Sequence, residues 1–414
     1  MNKLPALCTA VLAATTSQWS CAEDLTESPF FKDSKTQLLS RNFYFNRDYH
    51  QANAPQNYRE EWAQGFIGTF NSGFTSGTLG FGLDLIGMYG MKLDSSSDRI
   101  NTGLLPSSGN RQAGVDHAQD DYSKAGGAIK IKMSQTVLKY GDQILNTPVF
   151  TNSDSRLLPE TARGFYLNSQ EIANLTIEAG HITSMTLKER TSHDSSPLTK
   201  ADFLGATYKF TPSLSASLYG SHVEDYWDKT YVGASWTLPV NTGQTLTFDF
   251  RGYDLKSSGQ QRGGELDNRA FSLKATYLYG PHTFAVANQQ VHGKGAYSYG
   301  VDGGDSNYLA NYIQFGDFVR EDEVSWQARY DYNFASLGIP GLAFMVRYVH
   351  GDNITLPSGV TDATEWERNV QLAYVVQSGP AKKLSFKIRQ ATYRNDFGTS
   401  LDEVRLITEY PLNW

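Results

Sequence analysis

The sequence predicts an all-β protein: an antiparallel β-barrel that crosses a membrane on its strands. Three observations carry this prediction. Apolar and polar residues alternate with period two along many short stretches, and side chains two apart on a strand share a face. Tight Gly/Pro turns join neighbouring stretches on one side, and longer polar segments join them on the other. The last stretch, Val404 to Trp414, sets Val404, Leu406, Thr408, Tyr410, Leu412 and Trp414 against Arg405, Glu409 and Asn413. It gives one face to apolar and aromatic groups, one to charge, and ends on an aromatic residue, as bacterial outer-membrane barrels commonly do.

The N-terminal residues 1–22 carry a positive Lys3, a short apolar run from Leu4 to Thr16, and small residues Ser20-Cys21-Ala22 before Glu23. That pattern predicts a secretory signal; the alternative is an N-terminal helix of the mature domain. Cys8 and Cys21 both fall inside it, so the mature chain, residues 23–414, would have no disulfide or thiol chemistry. The first strand contains Arg41-Asn42-Phe43-Tyr44-Phe45-Asn46-Arg47, where the arginines share parity with two phenylalanines. Alternation does not decide which side of it meets lipid.

Further along, Leu214, Ala216 and Leu218 oppose Ser213, Ser215, Ser217 and Tyr219. Leu246, Phe248 and Phe250 oppose Thr247, Asp249 and Arg251. Val324, Trp326, Ala328, Tyr330 and Tyr332 oppose Ser325, Gln327, Arg329, Asp331 and Asn333, ahead of the turn Leu337 to Gly341. Then Leu342, Phe344, Val346 and Tyr348 oppose Ala343, Met345, Arg347 and Val349. After the turn Ser378-Gly379-Pro380, Leu384, Phe386 and Ile388 oppose Ser385, Lys387 and Arg389. The long polar connections are Asp94–Asp121, Gly141–Glu171, Gly293–Glu323 and Gly351–Arg368. A soluble sandwich would also show this parity, but Arg and Asp in mid-strand suit a wet lumen. The chain length suggests on the order of 16–18 strands, enough for an aqueous channel.

Composition bounds the function classes. Of 414 residues, 40% are hydrophobic and 13% aromatic, with 24 Tyr, 22 Phe and 7 Trp, and the mean hydropathy is -0.43. Beyond the N-terminus no run approaches the ~18 apolar residues of a membrane helix. A net charge of -7 with no basic run argues against nucleic acid as a partner. The eight histidines show no zinc-ligand spacing, and neither a metal nor a cofactor is expected. A first strand starting near residue 36 leaves no room for a transporter plug domain.

Several ordered motifs resemble the OprD-type substrate-specific porins of pseudomonads and relatives. They include Leu39 to Asp48, Glu61-Trp62-Ala63-Gln64-Gly65-Phe66, Gly77 to Asp84, Asp120 to Gly127 and Ser155-Arg156-Leu157-Leu158-Pro159-Glu160-Thr161. Ser325 to Asp331, Gly338 to Leu342, Phe344 to Tyr348, Tyr374 to Pro380 and Arg405-Leu406-Ile407 continue the resemblance to the C-terminus. It implies an 18-stranded barrel narrowed by inward-folded loops, and passive uptake of small carboxylate-bearing solutes. One branch of the family prefers basic amino acids and small peptides, another aromatic and other monocarboxylates. The solute carboxylate is guided along a ladder of basic side chains.

Alternation puts Arg347, Lys387, Arg389 and Arg405 on the non-lipid face, since a charge on the lipid face near midplane costs about 2–4 kcal/mol. A row of such groups can hand a carboxylate from one bidentate partner to the next. These residues match the family's ladder, Arg156 matches a basic residue on its constriction loop, and Arg41 is counted with them. The bracing alternative pairs interior arginines with Asp249, Asp331 and Glu409. Gly141–Glu171 is the candidate constriction loop, offering Ser153, Asp154 and Ser155. In a second pore-facing loop the matching positions are Tyr312, Phe315 and Asp317. Phe315 lacks the phenolic hydroxyl that the basic-amino-acid branch presents, and Thr183 to Lys200 is short where that branch supplies a tyrosine.

The reading is therefore an outer-membrane porin for monocarboxylates, aromatic ones included. A channel for basic amino acids and small peptides is the alternative, and a structural or adhesive β-protein the second. Expected partners are small carboxylates, outer-membrane lipid and lipopolysaccharide, and the barrel-assembly machinery acting on the strand that ends at Trp414. The expected state is a monomer or weak trimer. The natural solute is not legible.

Overall fold

A computed structural model describes residues 27–50, 56–108 and 116–414. The expected export segment, with Cys8 and Cys21, lies outside the described residues. The chain runs through β1 (Lys35–His50), β2 (Tyr58–Asn71) and β3 (Leu79–Asp94), then the two-residue strands β4 (Ser107–Ser108) and β5 (His117–Ala118). Next come β6 (Asp121–Met133), β7 (Thr136–Gln143), the short β8 (Asn146–Thr147) and β9 (Phe150–Thr151), β10 (Thr161–Ser169) and β11 (Leu175–Thr186). β12 (Ala201–Thr211), β13 (Leu214–Val223), β14 (Trp227–Asn241), β15 (Gln244–Ser257), β16 (Asp267–Tyr279) and β17 (His282–Lys294) follow as hairpins. The chain ends with β18 (Val324–Asn333), β19 (Leu342–Ile354), β20 (Ala363–Val375), β21 (Ser385–Asn395) and β22 (Ser400–Asn413).

The long strands form one 18-stranded sheet. β22 pairs antiparallel with β1, from Gln37 opposite Asn413 to His50 opposite Ser400. That pairing closes the sheet, so every backbone group in the membrane finds a partner and no edge meets lipid. Turns on one rim are tight: Ser134 and Gln135 join β6 to β7, and Gly338 ends the 3₁₀ turn Phe334–Leu337 at φ 78°, where a side chain would be strained.

The predicted parity holds on the strands where it is clean. Leu204, Leu218, Leu273, Val286, Trp326, Leu372, Phe386, Ile388 and Leu406 are exposed on the outside, while Tyr219, Ser325, Met345, Arg347, Val349 and Arg405 are buried within. β1 resolves as the exception. Arg41, Phe43 and Phe45 all point inward and are buried. Its outer face is instead polar: Asn42 accepts from Trp62 Nε1 (2.8 Å) and donates to Gln64 (3.2 Å), and Gln64 donates to Ser40 (2.9 Å). Phe43 and Phe45 sit inside because loops fold into the barrel and cover them. They share an apolar cluster with Ile100, Leu104 and Leu105 of the 95–120 loop and with Leu157 and Leu158. A second cluster packs Leu145, Val149 and Phe150 against Phe203, Tyr219, Tyr231 and Tyr253 on the opposite wall.

Two expected loops are shorter than predicted. Of Gly141–Glu171, only residues 144–160 leave the wall, because Thr161–Ser169 is strand β10. Of Gly351–Arg368, only residues 355–362 do. In both places a bulge shifts the register, at Arg163/Gly164 and at Gly351/Ile354. On β19 the bulge inserts an unpaired residue and breaks period two, which made strand look like loop; at Arg163/Gly164 the unpaired residue is Thr183 of the partner β11.

Candidate functional site

The site forms where loops 144–160 and 295–323 meet the wall made by β21, β22 and β1. The loops are tied to each other by Thr151 N to Ser306 Oγ (2.7 Å) and by Glu160, which accepts from Ser153 N (2.8 Å) and Gly304 N (2.9 Å). The loops meet closely at Gly304, where a Cβ would lie 2.9 Å from Ser153 Cβ. Loop 295–323 is held to the wall by Gln289, which donates to Phe318 O (2.6 Å), and by Asn311, which donates to Ser325 (2.8 Å). Between loops and wall remains a cavity of about 450 Å³.

One face of the cavity is cationic. Arg389 and Arg405 stand opposite each other across β21 and β22. Three guanidinium groups surround the buried Phe45 ring: Arg47 at 5.2 Å, Arg156 at 5.0 Å and Arg405 at 5.0 Å from its centroid. Cation–π attraction steadies like charges that would otherwise separate. Glu403 neutralises two of them, accepting from Arg405 Nε (2.6 Å) and Arg47 Nη2 (2.6 Å). The other two cations differ. Arg156 has no carboxylate partner: it donates to the carbonyls of Thr102 (3.0 Å) and Ser155 (3.0 Å) and to the Ser155 hydroxyl (3.4 Å). Burial and the neighbouring Arg405 bring its pKa down to about 10, which leaves it charged at neutral pH. Arg389 Nε is buried with no hydrogen-bond partner.

The facing side belongs to loop 295–323. Tyr312 donates to Asp305 Oδ1 (2.7 Å) and Tyr299 to Asp317 Oδ2 (2.6 Å). Burial raises the Asp317 carboxyl to about 6. Both carboxylates are thus engaged by tyrosine hydroxyls. Ile313, Gln314 and Phe315 complete the rim, and Phe315 packs on Tyr393 and beneath Arg47.

Of the residues predicted from sequence, Arg156, Arg389, Arg405, Ser155, Tyr312, Phe315 and Asp317 line this cavity. Arg41 is buried and clamped, donating to Asp154 (2.6 Å), Glu409 (2.7 Å) and Arg156 O (2.9 Å); it anchors the loop. Asp154 serves that clamp. Ser153 is buried, its Oγ 2.9 Å from Ser155 Oγ. Arg347 is held by Asn369 (2.7 Å). Lys387 lies two residues below Arg389, toward the short-turn rim. Bracing holds at Arg329 with Asp331 (2.7 Å), Arg251 with Asp249 (3.3 Å) and Arg41 with Glu409.

Sequence reasoning missed Arg47, Lys188, Tyr299 and Asp305 as lining residues. For Arg47 the signal was present, since it shares parity with Arg41. For the three on loops, no periodic signal exists.

The chain matches the family described as "outer membrane porin, OprD family" over residues 28–414. It is 42% identical to Porin D of Pseudomonas aeruginosa, over 99% of each chain. This chain belongs to the OprD family of outer-membrane porins. Among solved structures, a BenF-like porin from Pseudomonas fluorescens Pf-5 superposes with a TM-score of 0.88 at 35% identity, covering 93% of this chain and all of that one. Pseudomonas aeruginosa OpdK, solved with vanillate, gives a TM-score of 0.85 at 36% identity and the same coverage. Barrel and family together place this OprD-family porin in the bacterial outer membrane as a substrate-specific channel.

Proposed function

We propose that this porin passively admits small carboxylate-bearing solutes, aromatic monocarboxylates among them, and that Arg156 and Arg389, beside Arg405, receive the carboxylate. The observation that carries this reading is the division among the cations. Arg41, Arg47 and Arg405 have carboxylate partners, whereas Arg156 faces carbonyls and Arg389 keeps a buried, unused N–H. Charged donors without a carboxylate partner in a narrow passage attract an anion that can offer bidentate oxygens. The site stays shallow because neighbouring arginines compete for the same anion, so it can move on. Arg347 and Lys387 would be flanking rungs on the same wall.

The vanillate carried by OpdK supports an aromatic carboxylate, for which Phe315, Tyr299 and Tyr312 offer ring faces. A cationic solute group is disfavoured, because Asp305 and Asp317 are already occupied by tyrosine hydroxyls. In this reading residues 1–22 direct export, and β22 ending at Trp414 is the strand the assembly machinery engages. The test is uptake into proteoliposomes of labelled benzoate, propionate, arginine and a neutral sugar of similar size. Carboxylates are expected to enter fastest. Equal uptake of the neutral sugar refutes the proposal.

A further inference from the structure

Lys188 stands on the loop between β11 and β12 and lines the same cavity as Arg156, Arg389 and Arg405. Its Nζ is 3.4 Å from Ser153 Oγ and 3.8 Å from Glu160 Oε1. The second distance is long for an ion pair, and Glu160 Oε2 already accepts two backbone N–H groups from Ser153 and Gly304. Lys188 is therefore a cation that the protein matches only loosely. A chain of hydroxyls connects it to the ladder. Ser153 Oγ lies 2.9 Å from Ser155 Oγ, and Ser155 Oγ lies 3.4 Å from Arg156 Nη1. The two cations can be no further apart than these three links laid end to end.

We infer that Lys188, with the Ser155 hydroxyl, holds a second acidic group of the solute, so that short dicarboxylates are the preferred cargo of this channel. The inference rests on the carboxylate reading above and names its substrate class. The Arg156, Arg389 and Arg405 cluster takes one carboxylate, and Lys188 takes the other across the serine hydroxyls. With each carboxylate oxygen about 2.8 Å from its cation, that ceiling leaves at most about 4 Å between the two carboxylates, which suits a diacid of about three to four carbons. A monocarboxylate leaves Lys188 with only its long contact to Glu160. A solute with an ammonium group is repelled by it, and Asp305 and Asp317, capped by tyrosine hydroxyls, offer little in compensation. Two weak, separated contacts also suit transport, because each can be released before the other.

The test uses the full-length porin in proteoliposomes with labelled succinate and propionate. Succinate is expected to enter about tenfold faster than propionate. In Lys188→Gln the succinate-to-propionate ratio is expected to fall about tenfold, and Lys188→Arg should restore most of it. A ratio of one or less in the unaltered protein overturns the inference. So does an unchanged ratio in Lys188→Gln, with a heat-modifiable gel shift showing a closed barrel. Competition in the unaltered protein gives a second measurement that needs no variant: succinate should block labelled propionate uptake at about one-tenth the concentration that butyrate needs, and equal potency counts against Lys188. Should propionate uptake survive in the Arg156→Gln/Arg389→Gln double variant, the failure belongs to the carboxylate reading instead.

Discussion

Removing the two receiving cations together, Arg156→Gln with Arg389→Gln, tests the site directly. Neither guanidinium is paired with a carboxylate, so their loss strands no buried anion and the barrel should close normally. A hydrogen bond to a charged group contributes about 1.5–3 kcal/mol. The cavity is wet, so the lower end applies, and about 1.4 kcal/mol is a factor of ten. The two residues serve one anion and are not additive. Propionate uptake at low concentration should fall between about 20-fold and 100-fold. Liposome uptake at low ionic strength, where screening is weakest, measures it, and heat-modifiable mobility in detergent confirms the fold. Uptake within twofold of the unaltered protein would refute the assignment. The choice of residues matters: deleting Arg405 would leave Glu403 with Arg47 alone and mix a structural defect with a transport one.

The remaining expectations address the scaffold and its electrostatics. Arg41→Gln breaks its pairs with Asp154 and Glu409 and should cost about 2–3 kcal/mol, below the full cost of breaking a buried pair because Asp154 is half exposed; a lower melting temperature in detergent reads it. The Asp317 carboxyl, raised by burial to about 6, is ionised at pH 7.5 and about nine-tenths protonated at pH 5. Protonation removes a negative charge from the cavity, so the anion-to-cation permeability ratio should rise as pH falls through 6. Bilayer reversal potentials measure the ratio, and Asp317→Asn should flatten that response; an equal rise in this variant assigns it elsewhere. Spin labels at Phe386 and Lys387 should report oxygen access at the first and a polar nickel quencher at the second, because Phe386 is 44% exposed on the outer face and Lys387 points the other way. Equal quenching at both sites contradicts the facing.

Legibility followed periodicity. On β18 to β22, where one face meets lipid and the other water, parity alone put Arg347, Arg389 and Arg405 inside. β1 failed because it obeys a different rule. Its inner face mixes Phe43 and Phe45, packed with Leu157, Leu158 and Leu104, with the arginines Arg41 and Arg47, while its outer face carries Ser40 and Asn42, satisfied sideways by Gln64 and Trp62. At the bulges the register shifts and alternation loses phase, on β11 at Thr183 and on β19 after Gly351.

The sequence by itself determined that this chain is a closed antiparallel barrel with an outward apolar face and inward cations, since lipid punishes every charge placed on the wrong parity. Through ordered motifs it offered Gly141–Glu171 and the segment around Tyr312 and Asp317 as candidate pore loops, but not the loop that carries Lys188. Only the tertiary structure decided which cations are free. Glu403 lies two residues from Arg405 in the chain, but its pairing with Arg47 comes from closure of β22 on β1. Arg156 and Lys188 enter the same cavity because two successive loops, separated by the hairpin of β10 and β11, fold against one wall. Charge is written locally in a chain; whether it is spent on a neighbour or left for a solute depends on contacts that no local pattern encodes.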